Sequence, residues 1–245
     1  MAVSTPEIPR AQDEQTTRHP GLTAQLSLRL GAIFAVLASI LFASAGTFRY
    51  WQASLCLLVL TASGAAVSFV TLVRNPEVIA RRLRTAQRSR SQQALVRAFR
   101  PLFFCLLFLP GLDHRLRLTT TITGPVPPAL SIAADIVLLA AVIFCGWVFE
   151  VNHFADRCLG KQEKQQVIDS GPYGLVRHPL NAASLLGWLV APLALGSWIA
   201  LPLFALVIPF YVLRIINEEL QLTRELKGYA AYCKRTPFRL IPFVW

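Results

Sequence analysis

Charge is scarce in this 245-residue chain: only 15% of residues are Asp, Glu, Lys or Arg, against about 25% in soluble domains. Acidic residues are the scarcer half, 13 against 24 basic, which leaves a net charge of +11. With 54% of residues hydrophobic, too little polar surface remains to clothe a soluble fold. Cysteine is sparse as well: five residues, none paired as Cys-x-x-Cys. That excludes a disulfide framework and a zinc site, and no metal is expected. Cys56, Cys105 and Cys145 fall inside apolar runs, and Cys158 and Cys233 lie beside them. A Gly-x-Gly-x-x-Gly fingerprint, internal repeats and low-complexity tracts are all absent, which leaves no sign of a soluble dinucleotide-binding domain or a solenoid.

What the chain does have is apolar blocks near the roughly 20 residues that cross a bilayer. They are Leu28–Thr47, Ala53–Val73, Pro101–Leu118, Pro128–Phe149 and a double-length block from Asn181 to Ile216. The expected fold is all-α, a polytopic membrane protein of five to six transmembrane helices. Between Arg74 and Arg100 stand eight arginines and one glutamate, the composition of a cytoplasmic loop. With that loop inside, all Lys and Arg except Arg49, Arg115 and Arg117 are cytoplasmic, so the basic excess reports topology and attraction to membrane lipids rather than nucleic acid. Residues 1–27 are expected to be a disordered cytoplasmic arm without a cleavable leader. Residues 28–245 then form the membrane domain.

The third span is the weakest, because Pro110-Gly111 interrupts it and Asp113, His114, Arg115 and Arg117 follow. It is read as a span with snorkelling basic residues or as a re-entrant segment. Asp135, within the fourth span, is read as an aspartate near the outer interface or bonded to a neighbouring helix. The Asn181–Ile216 block is too long for one span. Gly196-Ser197-Trp198, between Pro192 and Pro202, predicts a hairpin there. After Glu219, the spacing of Leu222, Leu226, Tyr229 and Cys233 predicts an amphipathic helix. The proline-rich end, Arg235 to Trp245, is expected to lie across the cytoplasmic face as a lid.

The hairpin brings two polar groups to one level: Gly171 to Pro179, with Arg177 and His178, and Arg214, Glu218 and Glu219. Ionisable groups beside lipid are costly and call for a functional explanation. Pro179 suits a first helical position, and the first-turn amides behind it favour a carboxylate or phosphate. Tyr173 can pack on a heterocycle, Glu218 can accept hydrogen bonds from hydroxyls or an amine, and Arg214 can fork onto a carboxylate. Taken singly, each has a plainer reading: Arg214 and Glu218 as a helical ion pair, Arg177 as a headgroup anchor.

Gly171-Pro-Tyr173, Val176-Arg-His-Pro179, Leu195-Gly-Ser-Trp198, Arg214-x-x-x-Glu218-Glu219, Gly228-Tyr-Ala-Ala-Tyr232 and Arg239-Leu-Ile-Pro together resemble the isoprenylcysteine carboxyl methyltransferase family. Arg74-Asn-Pro-Glu77, Gly111-Leu-Asp-His-Arg115 and Asn152-x-Phe154 look like its compact bacterial branch, so the likeness runs from about Arg74 to Trp245. The resemblance implies an enzyme of the bacterial inner membrane that transfers methyl from S-adenosylmethionine to a lipophilic or prenylated acceptor entering from the bilayer. The cofactor site, within residues 151–245, faces the cytosol. Carried over by motif, Val167, Ile168, Tyr173, His178, Pro179, Leu180, Asn181 and Glu218 surround the cofactor, and Arg214 binds the acceptor carboxylate. Two positions depart from the family pattern: Asn181 stands where a tyrosine is usual and Ala183 where a glycine is. They leave the acceptor open. Two other classes remain: an NADPH-dependent membrane reductase of the sterol-reductase type, and a non-enzymatic membrane scaffold.

Overall fold

The computed structural model describes residues 20–83, 90–151 and 167–245, and every regular element among them is helical. In chain order these are α1 (Pro20–Ala45), α2 (Trp51–Arg74), α3 (Pro76–Leu83), α4 (Arg90–Leu116), α5 (Leu118–Ile122) and α6 (Pro128–Val151). A 3₁₀ turn at Gly171–Gly174 precedes α7 (Pro179–Ala194), α8 (Leu201–Ala205), α9 (Val207–Glu225) and α10 (Tyr229–Arg235). Five stretches are long and apolar enough to cross a membrane: Gly21–Ala45, Trp51–Arg74, Gln93–Leu116, Pro128–Val151 and Leu201–Glu225. This is an all-α integral membrane protein.

Three boundaries differ from the sequence expectation. Helix α1 begins at Pro20, so the last eight residues of the expected disordered arm, 20–27, are helical. Residues 1–19, Cys158 and the Asn152-x-Phe154 motif lie outside the described residues. The third span is a full helix: α4 runs unbroken from Arg90 through Pro101 and Pro110 to Leu116. Proline is tolerated within a spanning helix where local adjustment or neighbours meet the freed backbone groups, and the second half of α4 is held against its surroundings where the Tyr50 hydroxyl lies 3.4 Å from the Pro110 carbonyl. The amphipathic helix expected after Glu219 is two helices, because the chain turns at 226–228 with Gly228 at φ +87°. A side chain there would be strained.

The hairpin forms as expected. Helix α7 ends in a turn at 195–200, and α8 and α9 return. Helix α6 runs antiparallel to α7, and near its start the Ser131 hydroxyl donates to the Leu193 carbonyl at 2.9 Å. Small residues on both helices, among them Ala134, Ala141 and Ala183, are buried and let the backbones approach closely. The α1–α4 crossing is tighter still. A Cβ on Gly111 would sit 1.9 Å from Ser44 Oγ and 2.6 Å from the Leu41 carbonyl, so only glycine fits. One buried cluster joins α1, α2, α6 and α7 through Leu41, Leu57 and Leu138. A second joins α4, α7, α8 and α9 through Leu106, Leu185, Phe204, Phe210 and Ile215, where Phe103 meets Phe210 edge-on at 5.0 Å.

The levels of the helix ends follow from polar contacts. Arg74 at the end of α2 pairs with Glu150 at the end of α6, at 2.7 Å. Antiparallel packing then puts the start of α7, with His178, at that same end. At the other end Asp113 accepts a hydrogen bond from the Ser197 hydroxyl, which ties the end of α4 to the hairpin turn.

Candidate functional site

The polar centre forms because the apolar stripe of α9 ends in a carboxylate. Val207, Tyr211 and Ile215 are buried at successive four-residue steps, and Glu219 continues the series. A buried carboxylate must find cations or donors, and Glu219 finds three. The His178 Nε2–H donates to Oε1 at 3.2 Å. Arg177 Nε lies 3.3 Å from the same oxygen, as an ion pair. Arg239 Nε donates to Oε2 at 2.9 Å. The side chains of Arg177 and His178 are only 9% and 4% exposed, so the guanidinium and the imidazole are largely shielded from water.

The C-terminal segment closes over this centre. The amides of Arg177 and His178 donate to the carbonyls of Phe238 and Arg239 at 2.9 and 3.0 Å, and Arg177 Nη2 reaches the Pro237 carbonyl at 3.2 Å. Both Tyr232 and Thr236 donate to the Tyr173 carbonyl, at 2.8 and 3.4 Å. Arg239 also stacks over the Trp245 ring, 5.1 Å from its centroid. The expected lid is thus a strap, hydrogen-bonded to the segment that bears His178. Tyr229 sits beneath it, and its hydroxyl is buried without a hydrogen-bond partner. Burial first, then the Glu219 charge, raises its pKa well above the usual phenol range, so it stays neutral.

The sequence-predicted residues fall into two groups. Brought together at this end are His178, held on Glu219; Pro179, buried as the first residue of α7; and Asn181, buried in the same first turn. The amides of Leu180 and Asn181 have no intrahelical acceptor there. Tyr173 joins them through its carbonyl, and Val167 approaches Gly228, 3.9 Å from where a Cβ would stand. Ile168 follows it, partly buried. Arg214 and Glu218 lie on α9 but off the Glu219 stripe, both partly buried. No ion pair joins them among the described residues, and Arg214 Nε is buried without a hydrogen-bond partner. The plain reading as a helical ion pair is therefore not what forms.

Sequence reasoning gave the acidic role to Glu218 and missed Glu219 as the hub. The signal was available: position 219 keeps the four-residue step of the buried face, whereas 218 leaves it. Arg239 and Tyr229 were missed as members of the site, since nothing local ties the tail to the segment around His178.

Residues 130–228 match the phospholipid methyltransferase family, a stretch that contains most of α6 and all of α7 to α9, with His178, Arg214, Glu218 and Glu219. A Delta(14)-sterol reductase of Mus musculus is 30% identical over 86 residues, 33% of this chain. The chain covers 20% of that reductase's length.

Proposed function

We propose that this protein is a membrane-embedded S-adenosylmethionine-dependent methyltransferase whose acceptor is lipophilic, a carboxylate as in prenylcysteine carboxyl methylation. The observation that carries the reading is the set of unmet polar atoms beside the Glu219 centre, within or next to the stretch that matches a methyltransferase family. Arg214 Nε and the Tyr229 hydroxyl are buried without partners, a costly condition that a polar ligand relieves. This fits S-adenosylmethionine, which brings a carboxylate, an amine, ribose hydroxyls and an adenine ring, and bound there it supplies an electrophilic methyl group on a sulfonium. His178, Pro179, Leu180 and Asn181 would hold it at the start of α7, with Val167, Ile168, Tyr173 and Glu218 around it.

On this reading the protein's own work is positional. A carboxylate acceptor is already ionised at neutral pH, so no general base is required. Arg214 forks onto that carboxylate and fixes its direction. The strap from Pro237 to Trp245 keeps water from the reacting groups, which strengthens the electrostatics inside. Glu219 holds Arg177, His178 and Arg239 and leaves Glu218 for the ligand. The site would face the cytosol of a bacterium, as the arginine-rich 74–100 region supports.

The similarity to a sterol reductase supports a second reading, an NADPH-dependent reductase using the same pocket. Calorimetric titration of the purified protein with each cofactor separates them. Binding of S-adenosylmethionine with no heat from NADPH is the expected result; the reverse would transfer the assignment to the reductase.

A further inference from the structure

At the end of the bundle opposite His178, about 24 Å away along the 16 residues of α7, lies a polar cavity of about 410 Å³. Its walls include Arg49, Gln52, His114, Arg117 and Thr120, and its floor is Asp113. Asp113 is only 2% exposed and is already satisfied. Its Oδ1 accepts the Thr119 amide at 2.7 Å, and Oδ2 accepts the hydroxyls of Thr119, at 2.5 Å, and Ser197. None of these donors is a cation, so the guanidinium groups of Arg49 and Arg117 are not spent on the aspartate. Among the described residues neither arginine forms an ion pair. Tyr50 stiffens the wall by stacking on His114 at 4.0 Å and donating to the Leu195 carbonyl at 2.5 Å.

Two guanidinium groups against one carboxylate leave the cavity one positive charge in excess. A second feature narrows the ligand further. Gln52 Oε1 is buried with no hydrogen-bond partner, and its amide packs against the turn, with Nε2 2.9 Å from where a Gly196 Cβ would stand. An orphaned acceptor calls for a donor, and arginine forks call for phosphate oxygens. We propose that this cavity is a second ligand site, one that takes a singly charged phosphate group bearing a hydrogen-bond donor. A phosphodiester lipid headgroup with a free hydroxyl has that chemistry, and so does free monobasic phosphate. The site owes nothing to the methyltransferase reading and stands at the other membrane face.

Native mass spectrometry of the full chain in detergent tests it, with phosphatidylglycerol, phosphatidylcholine and inorganic phosphate as probes. Wild-type protein should retain phosphatidylglycerol on the order of tenfold more than phosphatidylcholine, whose choline has no N–H or O–H to offer Gln52. Arg49→Gln with Arg117→Gln should reduce phosphatidylglycerol retention by a similar factor, while Gln52→Leu should narrow the preference between the two lipids to the part that the net charge of phosphatidylglycerol carries. Lipid that survives excess inorganic phosphate identifies a headgroup site, and lipid displaced by it identifies a free-phosphate site; either result upholds the phosphate chemistry. Undiminished retention by the folded double-arginine variant would overturn the proposal. Should that variant fail to fold, equal retention of the two lipids by wild type overturns it instead.

Discussion

Two adjacent glutamates on α9 stand in different surroundings, Glu219 paired and buried and Glu218 partly buried, and each predicts its own phenotype. Glu219 neutralises Arg177, where water scarcely reaches, and the more exposed Arg239. Glu219→Gln removes that charge and should destabilise the fold by about 3–5 kcal/mol, read as a lowered thermal midpoint in detergent. Glu218→Gln should leave the midpoint nearly unchanged and weaken S-adenosylmethionine about 10- to 150-fold, the usual cost of a charge-assisted hydrogen bond. A midpoint shift as large as that of Glu219→Gln would make Glu218 a second structural carboxylate. For Arg214, replacement by Ala should abolish methyl transfer with cofactor affinity retained. Arg214→Lys should rescue poorly, because an ammonium cannot reproduce the planar fork. Full turnover in the alanine variant would remove Arg214 from the site. The contrast between 218 and 219 also marks what was legible at this scale. Residue types and their level in the membrane could be read from the sequence; which of two neighbours turns inward depended on the phase of a buried stripe.

Among the helices, the closest approach is that of α1 and α4 at Gly111. Gly111→Ala forces a methyl group into the Leu41 carbonyl and Ser44 Oγ, and overpacking of that kind costs about 1–3 kcal/mol. Adding Ser44→Ala should recover only part of the loss in thermal stability, since the backbone carbonyl remains in the way. Complete recovery would show that the serine alone sets the spacing. Spans and hairpin were readable from apolar length and from Gly196-Ser197-Trp198. The continuity of α4 through two prolines was not, because a proline reads locally as a helix stop and only the surrounding packing decides whether the helix runs on. The break at Gly228 was half visible: glycine marked the weakness, but the hydrogen bonds from Tyr232 and Thr236 to the Tyr173 carbonyl, which draw α10 out of line with α9, join segments far apart in sequence.

For the molecule as a whole, the contacts at each end fix which segments share a side. Single cysteines at Gln93, Leu175, which is 66% exposed, and Trp245, in a cysteine-free background, should all label from one side of sealed vesicles, and one at Thr121 from the other. Residue 245 labelling with 121 would be incompatible with the hairpin. The length of α7 has a consequence for how such a protein enters its membrane. At 16 residues it is about 24 Å long, short of a hydrocarbon layer about 30 Å thick, and it carries Asn181 near one end. Expressed without α8 and α9, it should slip out of the insertion machinery instead of lodging in lipid. Biogenesis must therefore commit residues 179–225 as one paired unit, so the same insertion event also brings the two halves of the polar centre together.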